Sequence, residues 1–227
     1  MIAAPSYAAH LPVSVLNAEG KSIPRTLAVA DLVIAGWTGR DAAAVEAHIA
    51  ELEALGIQRP PSTPVFYRAA SRRLTVADTI EVIGSASGGE AECVLFAAVD
   101  ELLAGIGSDH TDRAAEVHGI TLSKQMCDKP IGPMFWRFED IEPHWDALQL
   151  RSWTDGVAYQ DGTLAAMRHP RDLIAQHGGL QPGTLMFCGT LPAIGGVRPT
   201  GKFRMELHDP VRNRTLCHEY ATRVLPE

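Results

Sequence analysis

The sequence lacks several features that would place it in a familiar functional class. Its 227 residues carry a net charge of −7 without a run of basic residues, so we expect no broad phosphate-binding surface and no nucleic-acid partner. It has no internal repeat, and no apolar stretch is long enough to span a membrane. The N-terminus has no basic region and is interrupted by Pro5, His10 and Pro12. We therefore expect no signal peptide and a cytoplasmic location.

Cysteine is also scarce. The four cysteines show no CxxC spacing: Cys93, Cys127, Cys188 and Cys217. This pattern favours free thiols in a reducing compartment over a disulfide framework. With 46% hydrophobic and 21% charged residues, the composition is that of an ordinary globular protein. The length suits one large domain, or one domain with a small appendage.

The N-terminal quarter of the chain is predicted to form a small separate unit. Alternating apolar residues predict a β-hairpin within 11–35. Apolar spacings of three and four then predict a helix over 40–55, with Gly56 as its stop. The proline-rich segment 60–64 predicts a linker. The predicted parts are a hairpin-and-helix region at 1–60 and a main domain at 61–227.

The main domain is dominated by short strand signals separated by glycine or polar turns. The predicted strands are 65–67, 79–83, 93–99, 148–153, 185–188, 203–207 and 215–224. Helical stretches are few, at about 112–118, 138–146 and 164–176. Many strands with few helices predict a β-rich α+β fold with a rolled or sandwiched sheet.

Glu90 and Glu92 are the first candidate site residues. Residues i and i+2 of a strand point to the same face, so the two carboxylates would lie side by side. A buried pair is costly unless it is protonated or binds a metal, and Mg²⁺, Mn²⁺ or Ca²⁺ would relieve that cost with oxygen ligands. The alternative is a solvated hairpin turn at 88–92. The apolar run that follows, 94–99, favours a buried strand.

Asp109 is the candidate third metal ligand. It follows a strand-like, glycine-ended segment, and Arg113 lies four residues further on. Arg113 would then grip a substrate carboxylate through two hydrogen bonds. The alternative is that Ser108 or Asp109 only caps a helix.

Further polar residues are candidates for binding the substrate. Lys124 lies in an uncharged setting and would stabilise a developing enolate or oxyanion, unless it is a surface lysine. Lys129 and Arg68 are weaker candidates of the same kind. Gly189 and Thr190 would present backbone N–H groups and a hydroxyl to a carboxylate, or simply form a strand-ending turn.

The sequence alone does not identify a general base among the histidines, because it does not give the geometry that a general base requires. We favour structural or surface roles for His110, His208 and His218. His48, on the predicted N-terminal helix, is the preferred base, on the condition that the N-terminal part folds over the site.

Taken in order, these segments resemble the fumarylacetoacetate hydrolase superfamily and a bacterial family of unknown function that shares its fold. The resemblance runs from about Pro64 to the C-terminus, roughly two-thirds of the chain. The matching segments are 64–68, 90–92, 109–113, 124–133, 160–167 and 183–195. Arg68 stands where the superfamily usually has lysine, and Glu116 where it often has glutamine. The histidine usual in its N-terminal segment has no counterpart in register within 36–41.

The resemblance implies a mixed rolled β-sandwich like the C-terminal domain of fumarylacetoacetate hydrolase. It also implies a homodimer. It implies a site in which Glu90, Glu92 and Asp109 hold Mg²⁺ or Mn²⁺, with Ca²⁺ as a further candidate. Members of the superfamily act on small 2-oxo or 1,3-dicarbonyl acids through an enolate bound to the metal.

Hydrolysis of a carbon–carbon bond in an acylpyruvate or 1,3-dicarbonyl acid is the leading prediction. Decarboxylation, or hydration and isomerisation, of a 2-oxo acid is the alternative within the same chemistry. A relative that binds metal and a small acid without turning it over is the alternative from another class. A β-rich structural domain with no site is the plainest reading.

Overall fold

A computed structural model describes residues 5–17, 20–54 and 59–226; the side chains of His48 and Leu52 lie outside the described part. The strands are β1 (Ala9–Leu16), β2 (Ser22–Val29), β3 (Asp31–Gly36), β4 (Val65–Ala69), β5 (Leu74–Thr75), β6 (Thr79–Val82), β7 (Ser87–Gly88), β8 (Ala91–Ala97), β9 (Leu102–Ser108), β10 (Thr111–Asp112), β11 (Lys129–Pro130), β12 (Met134–Arg137), β13 (Gln149–Thr154), β14 (Val157–Thr163), β15 (Thr184–Thr190), β16 (Lys202–Asp209) and β17 (Arg214–Val224). The α-helices are α1 (Ala42–Ala54), α2 (Ile120–Met126) and α3 (Pro170–His177). Within the described ranges, every helix is too short or too polar to cross a membrane.

Two sheets organise the molecule. The larger has eight strands in the order β2-β1-β12-β9-β8-β15-β3-β4, and the smaller has five in the order β14-β13-β16-β17-β6. Two short pairs, β10-β7 and β11-β5, lie outside them. The sheets are curled, and the α+β, β-rich rolled fold predicted from the sequence is confirmed.

The eight-stranded sheet has an apolar core on each face. Strand β8 illustrates this, because its side chains alternate between the two cores. Cys93 and Leu95 pack in the core shared with the five-stranded sheet. Val94 and Phe96 pack in a second core enclosed by the curl of the large sheet. We call this second side the inner face. Glu90 and Glu92 lie an even number of residues before Val94, so they belong to the same face.

The predicted N-terminal hairpin and helix are present. Strands β1 and β2 pair in antiparallel register from Ala9 opposite Val29 to Leu16 opposite Ser22. The α1 helix begins after Asp41, whose carboxylate accepts hydrogen bonds from two N–H groups of the first turn. Part of the hairpin turn and the predicted stop at Gly56 lie outside the described residues.

The N-terminal strands belong to the large sheet. Strand β3 pairs with β4 on the other side of the predicted boundary at residue 60, and in parallel with β15 near the C-terminus. One sheet therefore runs across the boundary. The division into two parts, 1–60 and 61–227, stays a prediction. The boundary at residue 60 does not separate two sheets.

The helical predictions in the main domain were too long. Region 112–118 holds a 3₁₀ turn, Ala114–His118, and α2 follows it after Gly119, whose φ is 131°. Region 138–146 holds two 3₁₀ turns, and region 164–176 is divided between a 3₁₀ turn and α3. Pro170 explains the last case, because proline suits the first turn of a helix and not its interior.

Candidate functional site

Three carboxylates converge at the end of the β8–β9 pair. Glu90 directly precedes β8, Glu92 lies on β8, and Asp109 directly follows β9. The strands are antiparallel neighbours with Glu92 opposite Gly107, and Asp109 N–H donates to the Glu90 carbonyl at 2.9 Å. One oxygen from each carboxylate lies within 4.8 Å of the others. Glu92 and Asp109 are buried and Glu90 is half-buried, so the solvated-turn alternative does not describe this segment.

Arg113 is the first of three cations beside these carboxylates. Its Nη2 lies 3.0 Å from Glu90 Oε1, and its Nη1 donates to Glu116 Oε1 at 2.8 Å. Glu116, which departs from the superfamily pattern, is therefore a counter-ion for Arg113. The N-cap position of the 3₁₀ turn that follows is Arg113 and not Ser108 or Asp109, and Asp112 Oδ1 accepts the Ala115 N–H at 3.0 Å.

Two buried lysines flank Asp109. Lys124 on α2 contacts Asp109 Oδ2 through its Nζ. Lys129 on β11 places its Nζ 3.3 Å from Asp109 Oδ1 and donates to the carbonyl of His110. Lys124 is therefore a buried lysine and not the surface lysine that the sequence left open as an alternative. The three carboxylates and three cations form what we call the charged cluster. Its members are Glu90, Glu92, Asp109, Arg113, Lys124 and Lys129.

Burial and neighbouring charges separate the pKa values within the cluster. Burial, reinforced by Asp109, raises the pKa of Glu92 well above its ordinary value. Burial would also raise the pKa of Asp109, but Lys124 and Lys129 outweigh it and lower that pKa. Burial would lower the pKa of Lys124, and Asp109 raises it instead. The cluster therefore holds an ionised Asp109 beside a Glu92 that resists ionisation unless more positive charge is supplied.

Gly189 holds Glu92 from the side of β15. Its N–H donates to Glu92 Oε2 at 2.7 Å, at an irregularity in the pairing of β15 with β8. Its φ is +97°, and a Cβ added there would lie 1.7 Å from Thr38 Oγ1. Only glycine meets both conditions. The predicted substrate-facing N–H is thus donated to a site carboxylate.

Thr190 and Gln160 tie the same strand end together. Thr190 Oγ1 donates to the Ala91 carbonyl at 2.8 Å and accepts from Gln160 Nε2. The Gln160 side chain also accepts from Ala91 N–H at 2.9 Å and donates to the Leu191 carbonyl at 2.7 Å. The sequence places Gln160 only within a segment that matches the superfamily, and this function was not predicted. Gln160 lies on β14 between the buried Tyr159 and the exposed Asp161, so the local pattern does not mark it.

Strand β4 presents neighbouring residues to opposite sides. The Tyr67 ring lies 5.6 Å from Lys124 Nζ, at the charged cluster. Arg68, one residue on, places Nη2 2.9 Å from His177 Nε2, and His177 also packs against Phe66 with ring centroids 5.1 Å apart. Because strand side chains alternate, Arg68 is turned away from the cluster. The structure does not bring Arg68 together with the predicted site residues, and it places Tyr67 there instead.

Among the histidines whose side chains are described, none is identified as a general base by its position. His110 is fully buried, with Nδ1 2.9 Å from the Tyr220 hydroxyl. Burial, aided by Lys129 and Arg113, lowers the pKa of His110 to about 3, so it is neutral and structural. The side chain of His48 is outside the described part, and its role as base stays a prediction.

Solved structures share this fold. A fumarylpyruvate hydrolase from Pseudomonas aeruginosa, solved with Mn²⁺ and pyruvate, is 16% identical with a TM-score of 0.63, over 99% of this chain and 100% of that one. A 2-hydroxyhepta-2,4-diene-1,7-dioate isomerase from Mycobacterium marinum is 21% identical with a TM-score of 0.61, over 90% and 82%. A 5-carboxymethyl-2-hydroxymuconate delta-isomerase from Mycobacterium smegmatis is 16% identical with a TM-score of 0.59, over 90% and 84%.

The fold is thus that of the fumarylacetoacetate hydrolase-like proteins, as the sequence resemblance predicted. No curated protein matches the sequence. The family model described as "Protein of unknown function (DUF2848)" matches residues 35–220, and the chain belongs to that family.

Proposed function

We propose that this protein is a divalent-metal-dependent hydrolase that cleaves a carbon–carbon bond in a small acylpyruvate or 1,3-dicarbonyl acid. One observation carries the proposal: Glu90, Glu92 and Asp109 each bring a carboxylate oxygen within 4.8 Å of the others. Two of these side chains are buried, and a folded protein does not bring buried carboxylates together without compensation. The three cations of the charged cluster contact Asp109 and Glu90, whereas the pKa of Glu92 remains raised, so a bound metal ion would compensate Glu92.

The residues fit a hard divalent ion. All three donors are carboxylates, which Mg²⁺, Mn²⁺ and Ca²⁺ prefer over softer ligands. The raised pKa of Glu92, caused by burial and by Asp109, is what a bound cation would reverse. When bound, such an ion acts as a Lewis acid that polarises a substrate carbonyl. The Mn²⁺ and pyruvate in the Pseudomonas aeruginosa fumarylpyruvate hydrolase support both the ion and the class of acid.

Lys124 is proposed as the group that stabilises negative charge on the substrate. Its ammonium is buried, contacts Asp109 and lies beside the Tyr67 ring. A fixed cation in a site poor in water stabilises a developing oxyanion far better than the same group would in solution. Asp109 keeps Lys124 protonated, because its carboxylate raises the pKa of that lysine.

Arg113 is proposed to orient the substrate carboxylate. Its guanidinium already binds Glu90 and Glu116, so it would accept a third carboxylate by loosening its contact with Glu116. Gly189 and Thr190 would form the opposite wall, with Gly189 fixing Glu92 and Thr190 fixing the start of β8. Arg113 would therefore orient the substrate from one side, and Gly189 and Thr190 would hold protein groups in position on the other.

Isomerisation of a 2-oxo acid is the second candidate. The observation that favours it is the pair of isomerases among the solved structures that share the fold. Isomerisation uses the same polarised carbonyl and needs no water activated for attack. The products distinguish the two candidates, because hydrolysis yields two acids and isomerisation yields one.

The test is turnover of a substrate panel by the full chain. Acylpyruvates, oxaloacetate and 2-oxo-dienoates would be incubated with Mg²⁺ or Mn²⁺, and again with a chelator, while the keto–enol absorbance is followed. We expect loss of absorbance that the chelator abolishes, and two acid products.

The matched variants are Glu92→Gln and Glu139→Gln. Glu92 is buried in the cluster, whereas the Glu139 side chain is 63% exposed and forms an ion pair with Arg137. We expect Glu92→Gln to abolish metal-dependent turnover and Glu139→Gln to retain it. Full activity in Glu92→Gln would refute the metal assignment.

A further inference from the structure

The fully buried part of the charged cluster is balanced before any ion binds. Glu92 and Asp109 carry negative charge there, and Lys124 and Lys129 carry positive charge, when all four are ionised. Arg113 is only half-buried, and it pairs with both Glu90 and Glu116. A divalent ion bound to the carboxylates would therefore leave a buried group with two uncompensated positive charges.

Lys129 supplies the cation that completes this balance. Its side chain is 0% exposed, whereas that of Lys124 is 9% exposed and lies beside Tyr67. The backbone of Lys129 is fixed by the parallel pairing of β11 with β5, opposite Leu74. Its Nζ is held between Asp109 Oδ1 and the His110 carbonyl, so Lys129 is locked onto the carboxylate that the metal would use.

Both oxygens of Asp109 thus face an ammonium. Lys124 contacts Oδ2 and Lys129 lies 3.3 Å from Oδ1. At the effective dielectric constant of partly buried sites, like charges a few ångströms apart repel each other several times more strongly than in water. A permanently buried lysine at this position therefore opposes a divalent ion strongly, and water does not reach it to screen the repulsion.

We propose that Lys129 makes metal binding depend on the acid ligand, so that the ion and a chelating dianion enter this site together and each binds poorly alone. The inference rests on the proposed metal site. A dianion such as oxalate returns the buried part of the loaded cluster to neutrality, whereas a monoanion such as acetate does so only in part. By linkage, the ion and the dianion raise each other's affinity by the same factor.

The experiment is a calorimetric titration of the full chain with Mn²⁺, alone, with saturating oxalate and with saturating acetate. For the wild type we expect oxalate to strengthen Mn²⁺ binding by about tenfold or more, within the usual range of coupling between ligands, and acetate to have a smaller effect. Lys129→Met should bind Mn²⁺ alone more tightly, by about tenfold to a hundredfold. Oxalate should then add less than it does in the wild type.

The matched control is Lys202→Met, which removes an exposed lysine paired with Glu219. It should behave as the wild type. Circular dichroism checks that Lys129→Met is folded, and the oxalate and acetate comparison on the wild type tests the proposal without any variant.

The failures are distinguishable. Tight Mn²⁺ binding by the wild type that oxalate leaves unchanged would overturn the role of Lys129 and leave the metal site intact. Unchanged Mn²⁺ affinity in a folded Lys129→Met would do the same. Absence of Mn²⁺ binding under every condition would overturn the proposed function, and this inference with it.

Discussion

Two regions that carry charged side chains lie on opposite sides of β4, and they differ in the burial of those charges. On the Tyr67 side, the charged cluster packs six ionisable side chains against one another, and several of them are almost entirely buried. On the Arg68 side, an open cavity of about 550 Å³ has a mostly neutral lining, and its charged residues Asp31, Arg68 and Arg72 are exposed to solvent. The comparison teaches that cavity size is a poor guide to chemistry here. Removing one partner of a buried ion pair changes the free energy of unfolding more than removing an exposed charge does.

Removal of a buried charge should have the largest effect. Asp109→Asn leaves Lys124 and Lys129 buried without a counter-ion, and we expect the free energy of unfolding to fall by about 3–5 kcal/mol. Asp31→Asn, at the exposed cavity beside Arg68, should cost less than about 0.5 kcal/mol. Urea unfolding with a chelator present measures both. Equal losses in the two variants would contradict the contrast between the regions.

The same carboxylate gives the pH dependence a sign. The lysines lower the pKa of Asp109 in the folded protein below its unfolded value. Its contribution to stability is therefore complete above the unfolded pKa and is lost as the pH falls through the lowered one. The difference between the wild type and Asp109→Asn should shrink over that acidic interval.

A pair of glycines compares the regions at the level of the backbone. Gly189, at the cluster, and Gly179, at the cavity, have φ of +97° and +99°. A Cβ on Gly189 would collide with Thr38, whereas nothing lies within 4 Å of one on Gly179. We expect Gly189→Ala to cost about 2–4 kcal/mol, and Gly179→Ala about 1–2 kcal/mol from backbone strain alone. Thermal and urea unfolding of the two variants would refute this if their losses were alike.

The smallest effect is expected at Arg68. Its guanidinium contacts His177 on the side away from the cluster, so Arg68→Ala should change the free energy of unfolding by less than about 0.5 kcal/mol. Turnover should stay within about twofold of the wild type. A tenfold loss of kcat/KM would instead return Arg68 to the substrate site, where the superfamily resemblance had predicted it.

Local pattern was enough to predict much of the sheet and the identity of the carboxylates. Alternation gave β1 and β2, and the Glu-x-Glu spacing beside an apolar run gave Glu90 and Glu92. These features depend on residues close in sequence, for which strand geometry has few solutions. The expected homodimer and cytoplasmic location stay predictions.

The features that the sequence missed, or ranked low as it did Lys129, depend on contacts between distant segments. Lys129 reaches Asp109 because β11 pairs with β5, and Gln160 joins β8 to the end of β15 across gaps of 69 and 31 residues. The placement of Arg68 depends on which of two neighbouring residues of β4 points towards the charged cluster. The register of β4 against β3 decides whether Tyr67 or Arg68 faces the cluster, and a shift of one residue would exchange them.

The central claim is that the three carboxylates hold one divalent ion, and direct binding tests it without knowledge of the substrate. We would titrate the wild type and Glu92→Gln with Mn²⁺ in saturating oxalate and count the bound ions by calorimetry. The account predicts one ion per chain in the wild type and none in a folded Glu92→Gln. Stoichiometric binding that survives in Glu92→Gln, or no binding to the wild type, would contradict it.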